Sequence, residues 1–206
     1  MRKITCQCEQ VFNVDMGDSV DLDADPSLVA SIKEGSFLSF VCPTCGCVMH
    51  TDIRTRVDWP SKGISLVLVP ELDRISFLSG TSPIDSGLVP VVGYPELADR
   101  VAVLDAGLDA LAVESLKFHL LRRSSESNPG ARVSVYFERL DDAGDLEFHA
   151  HGLSETEIAV VRVPRSVYER VLADSRERPD AEPYALVQNG AYLSVQNVSF
   201  EDNANE

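Results

Sequence analysis

Cys42-Pro43-Thr44-Cys45-Gly46 is the stretch that decides how this chain is read. Two thiols lie two residues apart, with a proline inside the turn and a glycine directly after it. That is the pattern of a knuckle, a tight turn whose backbone amides bend back toward the sulfurs. Such amide-to-sulfur hydrogen bonds steady thiolates around a metal. One knuckle supplies two of the four ligands of a tetrahedral zinc site. A second pair stands far away in sequence, in Cys6-Gln7-Cys8. Cys6, Cys8, Cys42 and Cys45 are therefore the candidate zinc ligands. Cys47 and His50, close to the second turn, are the alternative ligands. A full set of four sulfurs reads as a structural site, where binding free energy is folding free energy, on the order of 10 kcal/mol.

The same cysteines admit two enzymatic readings. A thiol oxidoreductase would use a reactive Cys45 or Cys47, but redox motifs of this spacing open a helix after a strand, whereas Pro43 and Gly46 describe a turn. A zinc-dependent hydrolase keeps three protein ligands and an open position, which here would have to lie near His50. The non-enzymatic reading is preferred: a structural zinc site supporting a surface for another protein.

Working outward from the knuckle, Lys3 to Cys8 leads into Val11 to Val14 as a strand. Asp25, Pro26 and Gly35 bracket a short helix as cap, first helical residue and stop. Phe37 to Val41 runs as a strand into Cys42. Val48 to Val57 and Ile64 to Val69 follow as strands, with Pro60-Ser61-Lys62-Gly63 as the turn between them. Ser79 to Pro95, rich in Gly, Ser and Pro, reads as a loop and domain boundary. Pro95 to Ala106 is expected to be helical, ending at Gly107, and Asp109 caps a second helix to about Arg123. Leu97, Val101, Leu104, Leu108, Leu111 and Leu116 supply the apolar stripe of the pair.

Beyond a polar linker, Ser124 to Gly130, strands are expected at Arg132–Arg139, Leu146–His151 and Glu157–Val163. A helix from Pro164 to about Ser175 comes next. A hairpin of Tyr184 to Gln188 and Ala191 to Val195 closes on Asn189-Gly190. The fold class is α+β. A zinc-ribbon-like β unit with a short helical insertion occupies 1–78, and a loop and helical pair 79–123. A small antiparallel α+β unit with its hairpin spans 124–200, and 201–206 is an acidic tail.

Lys and Arg number 18 against 33 Asp and Glu, a formal net charge of −15. A chain so charged repels phosphate backbones, which disfavours nucleic acid as a partner. Only Arg54, Arg56 and Lys62 gather near the ribbon to argue for a zinc-ribbon nucleic-acid binder. Five clustered cysteines do not look like a secreted disulfide scaffold. No signal peptide is visible at Met1 to Cys6, and no apolar run approaches the roughly 20 residues that span a bilayer. A reducing, cytoplasmic location away from the membrane is expected.

The residues also resemble a family. Cys42-Pro43-Thr44-Cys45-Gly46 after an N-terminal cysteine pair is similar to the bacterial CpXC family. So are Ile64 to Val69 followed by Pro70-Glu71, Gly93-Tyr94-Pro95-Glu96-Leu97, Ala106-Gly107-Leu108-Asp109 and Glu114-Ser115-Leu116-Lys117. The resemblance covers about residues 1 to 123 and implies zinc-ribbon-like metal binding; it adds no reaction. One departure stands out. The family's first turn has two residues between its cysteines, but Cys6 and Cys8 enclose one, and Glu9 stands where glycine is expected.

The remaining candidates have plainer explanations. His149 and His151 share one face of a strand, a geometry competent for metal, but no third ligand is placed by sequence, so an exposed strand face is preferred. His119 reads as a partly buried helix residue. Asp141, Asp142 and Asp145 fit ordinary turn chemistry better than a calcium loop. Asp15, Asp18, Asp21, Asp23 and Asp25 read as a solvated loop. Trp59, the sole tryptophan, is read as a plug at the base of the ribbon.

Overall fold

The structure, a computed structural model, describes residues 1–154, 156–198 and 200. The acidic tail expected at 201–206 lies outside the described residues. The chain forms two compact units, Met1–Ala98 and Asp99–Glu206.

The first unit opens with a hairpin of β1 (Arg2–Thr5) and β2 (Val11–Val14), with Arg2 opposite Val14 and Thr5 opposite Val11. Cys6 to Gln10 make its turn. Next come β3 (Ser19–Asp21) and helix α1 (Ser27–Lys33). The Asp25 carboxylate accepts from the Ser27 amide at 3.2 Å and the Ser27 hydroxyl at 2.6 Å, so it caps this helix from one residue further out than expected. Gly35 stops it with φ of +80°. A second hairpin, β4 (Ser39–Val41) with β5 (Val48–His50), carries Cys42 to Cys47 at its tip.

The core of this unit is a four-stranded sheet in the order β3-β6-β7-β8, where β6 is Thr55–Trp59, β7 is Ile64–Val69 and β8 is Val89–Val92. β3 runs parallel to β6, β6 antiparallel to β7, and β7 parallel to β8. Parallel neighbours need crossovers. The β3-to-β6 crossover contains α1 and the cysteine hairpin. The β7-to-β8 crossover contains the 3₁₀ turn Glu71–Asp73 and helix α2 (Arg74–Leu78).

Two expectations are corrected here. Val48 to Val57 is not one strand but β5 and β6, separated by Thr51 to Arg54, which lets the chain leave the hairpin and enter the sheet. Ser79 to Pro95 is not a boundary loop. It holds β8, which pairs parallel to β7, and the start of a helix at Tyr94. Pro90 is tolerated because β8 is an edge strand.

Helix α3 (Tyr94–Asp105) starts in the first unit and ends in the second. Helix α4 (Ala110–Ser127) is capped as expected: the Asp109 side chain accepts from the Ala112 amide at 3.0 Å. In the second unit β9 (Ser134–Leu140), β10 (Leu146–His151) and β11 (Ala159–Val163) form an antiparallel sheet with β10 central. α4 packs on β9 and on α5 (Arg165–Glu177). Leu146, Phe148, Phe137, Val113, Leu116 and Tyr168 lie in the resulting core. The expected C-terminal hairpin shrinks to β12 (Gln188–Asn189) and β13 (Tyr192–Leu193). Ala181 to Val187 instead coils into turns, with the Ala185 amide on the Ala181 carbonyl and the Val187 amide on the Pro183 carbonyl.

On the other face of β10, the Glu147 carboxylate takes Arg139 Nε at 3.3 Å and Arg162 Nε at 3.4 Å. The Arg139 hydrogen bond, followed by its charge and Arg162, holds Glu147 below its ordinary value of 4.5 against the opposing effect of burial. A carboxylate depressed in the folded state stabilises it above the unfolded pKa and loses that contribution as pH falls through the folded pKa. Glu147→Gln is therefore expected to flatten the acid side of the stability-versus-pH curve in urea melts at pH 3 to 7. An unchanged slope would deny Glu147 that role.

Candidate metal centre

The two hairpin tips of the first unit meet. Cys6, Cys8, Cys42 and Cys45 present their sulfurs within 4.8 Å of one another, the only such cluster among the described residues. Cys6 Sγ lies 3.6 Å from Cys45 Sγ, and Cys8 Sγ 3.7 Å from Cys42 Sγ. No pair is a disulfide. Zinc–sulfur bonds of about 2.3 Å imply sulfur–sulfur edges of about 3.8 Å in a regular tetrahedron. The donor set therefore fits a four-coordinate, thiolate-binding metal in both chemistry and spacing.

Both turns are built alike, despite their different lengths. In the second, the Gly46 amide donates to the Cys42 carbonyl at 3.0 Å and the Cys42 amide to the Cys47 carbonyl at 2.9 Å. In the first, the Glu9 amide donates to the Cys6 carbonyl and the Cys6 amide to the Gln10 carbonyl, both at 2.9 Å. Glu9 and Gly46 occupy the same place after the second cysteine, with φ of +66° and +71°. Glu9 thus performs the left-handed turn that glycine performs in the other knuckle, and the shorter spacing still closes. Glu9→Gly is expected to stabilise the metal-loaded protein by up to roughly 1 kcal/mol, the strain of an L residue being partly offset by the freer unfolded glycine. A lower denaturation midpoint for the variant would contradict this.

The amides of the knuckles also act on the thiols. Hydrogen bonds from the Cys45 amide and then the Thr44 amide outweigh burial and hold Cys42 down at about 6. For Cys6 the Cys8 amide pulls the same way, but burial and the neighbouring thiols prevail and push it up to about 12. Cys8 is raised too: the Gln10 amide lowers it, while the Cys45 thiol and burial outweigh that pull. Cys42 ionises readily, and Cys6 and Cys8 then hold their protons, because crowded thiolates repel. A divalent cation removes that repulsion and deprotonates its ligands.

The alternative ligands stand apart from the group. Cys47 is exposed, its sulfur 3.6 Å from the Val48 carbonyl. His50 shares a 2.8 Å hydrogen bond between Nδ1 and Ser39 Oγ. Neither belongs to the cluster. His149 lies beside Glu138 and Glu147, at 3.4 and 3.8 Å, and His151 stacks edge-on against Tyr136. His119 stands at the margin of the buried face of α4, beside Phe118: it meets solvent on one side, while burial and then the Arg122 charge lower its pKa.

Asp141 accepts from the Ala143 and Asp145 amides, as turn chemistry demands. In the acidic stretch, Asp18 pairs with Arg2, and Asp23 receives the Ser61 amide and hydroxyl. Trp59 is buried in the four-stranded sheet, not in the cysteine ribbon, with Lys62 Nζ 5.3 Å above its ring. Arg54 binds Ser82 Oγ and Arg56 binds Asp58, so the basic residues near the ribbon are engaged internally.

Two cysteine hairpins converging beside a mixed sheet define a two-knuckle protein whose four thiols suit a metal. The chain belongs to the CpXC protein family, whose pattern matches residues 4–117, more than half its length. It is also 38% identical to an uncharacterized protein of Treponema pallidum (strain Nichols), over 96% of this chain and 98% of that one. No solved structure matches. Among the described residues no helix is long and apolar enough to cross a membrane.

Proposed function

We propose that this protein is a non-enzymatic zinc protein, in which a structural Cys6–Cys8–Cys42–Cys45 site holds two hairpins in the form that another protein recognises. The observation that carries it is the near-tetrahedral spacing of four sulfurs, with 3.6 and 3.7 Å edges. Four protein sulfurs fill a tetrahedron and leave no corner for substrate, which is the arrangement of structural zinc sites. Free thiols in such a site suit a reducing, cytoplasmic setting.

The hairpins themselves offer the partner surface. Val41 and Val48 face each other across β4 and β5 and are 62% and 54% exposed, and Val11 on β2 is 49% exposed. Each hairpin is a two-stranded sheet, so its outer edges offer unpaired amides and carbonyls to an incoming strand. Zinc is favoured over iron by its prevalence in paired-knuckle sites.

Elemental analysis of protein purified without added metal tests the first half: one zinc per chain is expected, while iron or no metal overturns it. A pull-down with the intact protein against the Cys42→Ser, Cys45→Ser variant tests the second. A partner lost together with the metal supports the reading. A partner retained equally by the metal-free variant removes the site from recognition.

A further inference from the structure

At the base of the cysteine hairpin, wholly within the first unit, lies a cavity of about 690 Å³. That volume is in the range of small-molecule and side-chain sites. Its walls include Phe37, Tyr94 and Pro95, so most of the surface a ligand would meet is aromatic or apolar. Its charged lining is one-sided: Glu34, Asp52 and Glu71 contribute carboxylates, and no lysine or arginine lines it.

These carboxylates are not equivalent. Glu71 is paired: Arg74 holds it through Nε at 2.6 Å and Nη2 at 2.9 Å, although its charge still acts on Asp52. Gly93 makes room for it: a Cβ there would sit 2.8 Å from Glu71 Oε2. Glu34 is exposed to solvent. Asp52 is different. Its Oδ2 accepts from the Glu71 amide at 2.7 Å, while Oδ1 is shielded from solvent and has no hydrogen-bond partner. Burial, against the pull of the Glu71 amide, raises its pKa, as expected for a carboxylate that lacks a cation. A carboxylate in a mostly apolar wall attracts a cation across the low dielectric around it, and Oδ1, now shielded from solvent, gains a donor only when the side chain turns toward the ligand.

An anion would be repelled by this lining, and a neutral apolar ligand would leave Asp52 as it is. We propose that the cavity binds an organic cation, a primary ammonium or guanidinium on a short apolar stem, with its charge toward Asp52 and its stem against Phe37 and Tyr94. Aromatic walls favour such a ligand further, because ring faces attract cations. The site does not depend on which metal the cysteines hold. Its link to them is mechanical: His50 and Thr51, on and after β5, form part of the wall.

Titration of the full-length, metal-loaded protein, followed by NMR shifts or calorimetry, tests this with butylammonium, butylguanidinium, neutral pentanol and pentanoate. Either cation is expected to bind about tenfold or more tightly than pentanol, a difference of about 1.4 kcal/mol. Pentanoate is expected not to bind. Asp52→Asn keeps the acceptor for the Glu71 amide and removes the charge, and it is expected to abolish the preference for cations. Equal affinity for butylammonium and pentanol, no saturable cation binding, or an unaltered preference in Asp52→Asn overturns the proposal. Should that variant not fold, the probe series on the unaltered protein still decides. Nα-acetyl-lysine amide distinguishes the sources: tighter binding than butylammonium indicates a lysine borne on a polypeptide, weaker binding a free amine.

Discussion

Stripping the metal from the purified protein is expected to cost the first unit most of its stability. Closure of a four-thiolate site supplies on the order of 10 kcal/mol, comparable with the whole net stability of an ordinary domain, roughly 5–15 kcal/mol. The two cysteine hairpins have two strands each and little core of their own. Of the site, only Cys6 and Cys42 are buried. The second hairpin also lies inside the β3-to-β6 crossover, so its loss loosens the sheet itself. Trp59 provides the readout, because the sole tryptophan is buried in β6 of that unit. A strong chelator, or Cys42→Ser, is expected to shift its emission to the red and to lower the denaturation midpoint. The helical far-ultraviolet signal of α4 and α5 should survive longer. A cooperative Trp59 transition indifferent to chelator would refute the metal's structural role.

The second large effect is expected in the other unit, at a cluster that sequence reading passed over. Asp99 and Arg100 on α3 and Glu114 and Lys117 on α4 are all buried, each no more than 5% exposed. Lys117 Nζ bonds Glu114 Oε1 at 2.8 Å and also Asp99. Asp99 Oδ1 receives the Phe137 amide of β9 at 2.6 Å, and Glu114 Oε2 the Val195 amide at 2.8 Å. Arg100 Nη2 donates to the Leu193 carbonyl at 2.6 Å and lies 3.7 Å from Glu114. Two acids and two bases thus tie both helices to the sheet and to the C-terminal segment.

Burial works against the charge on Lys117, but Asp99 and Glu114 outweigh it and raise its pKa. Asp99 is pushed up by burial in spite of Lys117. Lys117→Met removes one partner and leaves two carboxylates facing each other, so a loss of roughly 3–5 kcal/mol is expected. Urea denaturation followed by far-ultraviolet circular dichroism measures it. A loss under about 1 kcal/mol, the worth of an exposed pair, would show that the cluster is wetter than its geometry implies.

Much of the site was legible because its determinants are local. Cys42 to Gly46 spells its own turn, and the αL position after Cys45 requires a residue such as glycine. The same rule made Glu9 look like a defect. Its φ of +66° shows the backbone taking the turn regardless, at a strain that a metal held by the four sulfurs would outweigh. The Asp109 cap and the strand Ile64–Val69 were likewise written in a few consecutive residues.

β3 and β8 were missed because Ser19–Asp21 lies in an acidic stretch and Val89–Val92 in a segment rich in Gly, Ser and Pro. Each exists through a parallel partner reached by a long crossover, and β8 tolerates Pro90 because it is an edge. The hairpin at Asn189-Gly190 erred the other way. Its turn formed with φ of +60° at Gly190, but the residues before it found turn partners nearer in sequence.

What the sequence alone determined, then, is where the thiols sit on their turns, the cap of the long helix α4, and which family the chain resembles. Only the tertiary structure decided that Cys6 and Cys8 meet Cys42 and Cys45, that Lys117 is buried with Asp99, and that Asp52 lines a cavity to which no lysine or arginine contributes. The reason is physical. Turn and cap preferences act over a few residues, whereas a charge or a sulfur acquires its role from neighbours that only folding brings within a few ångströms.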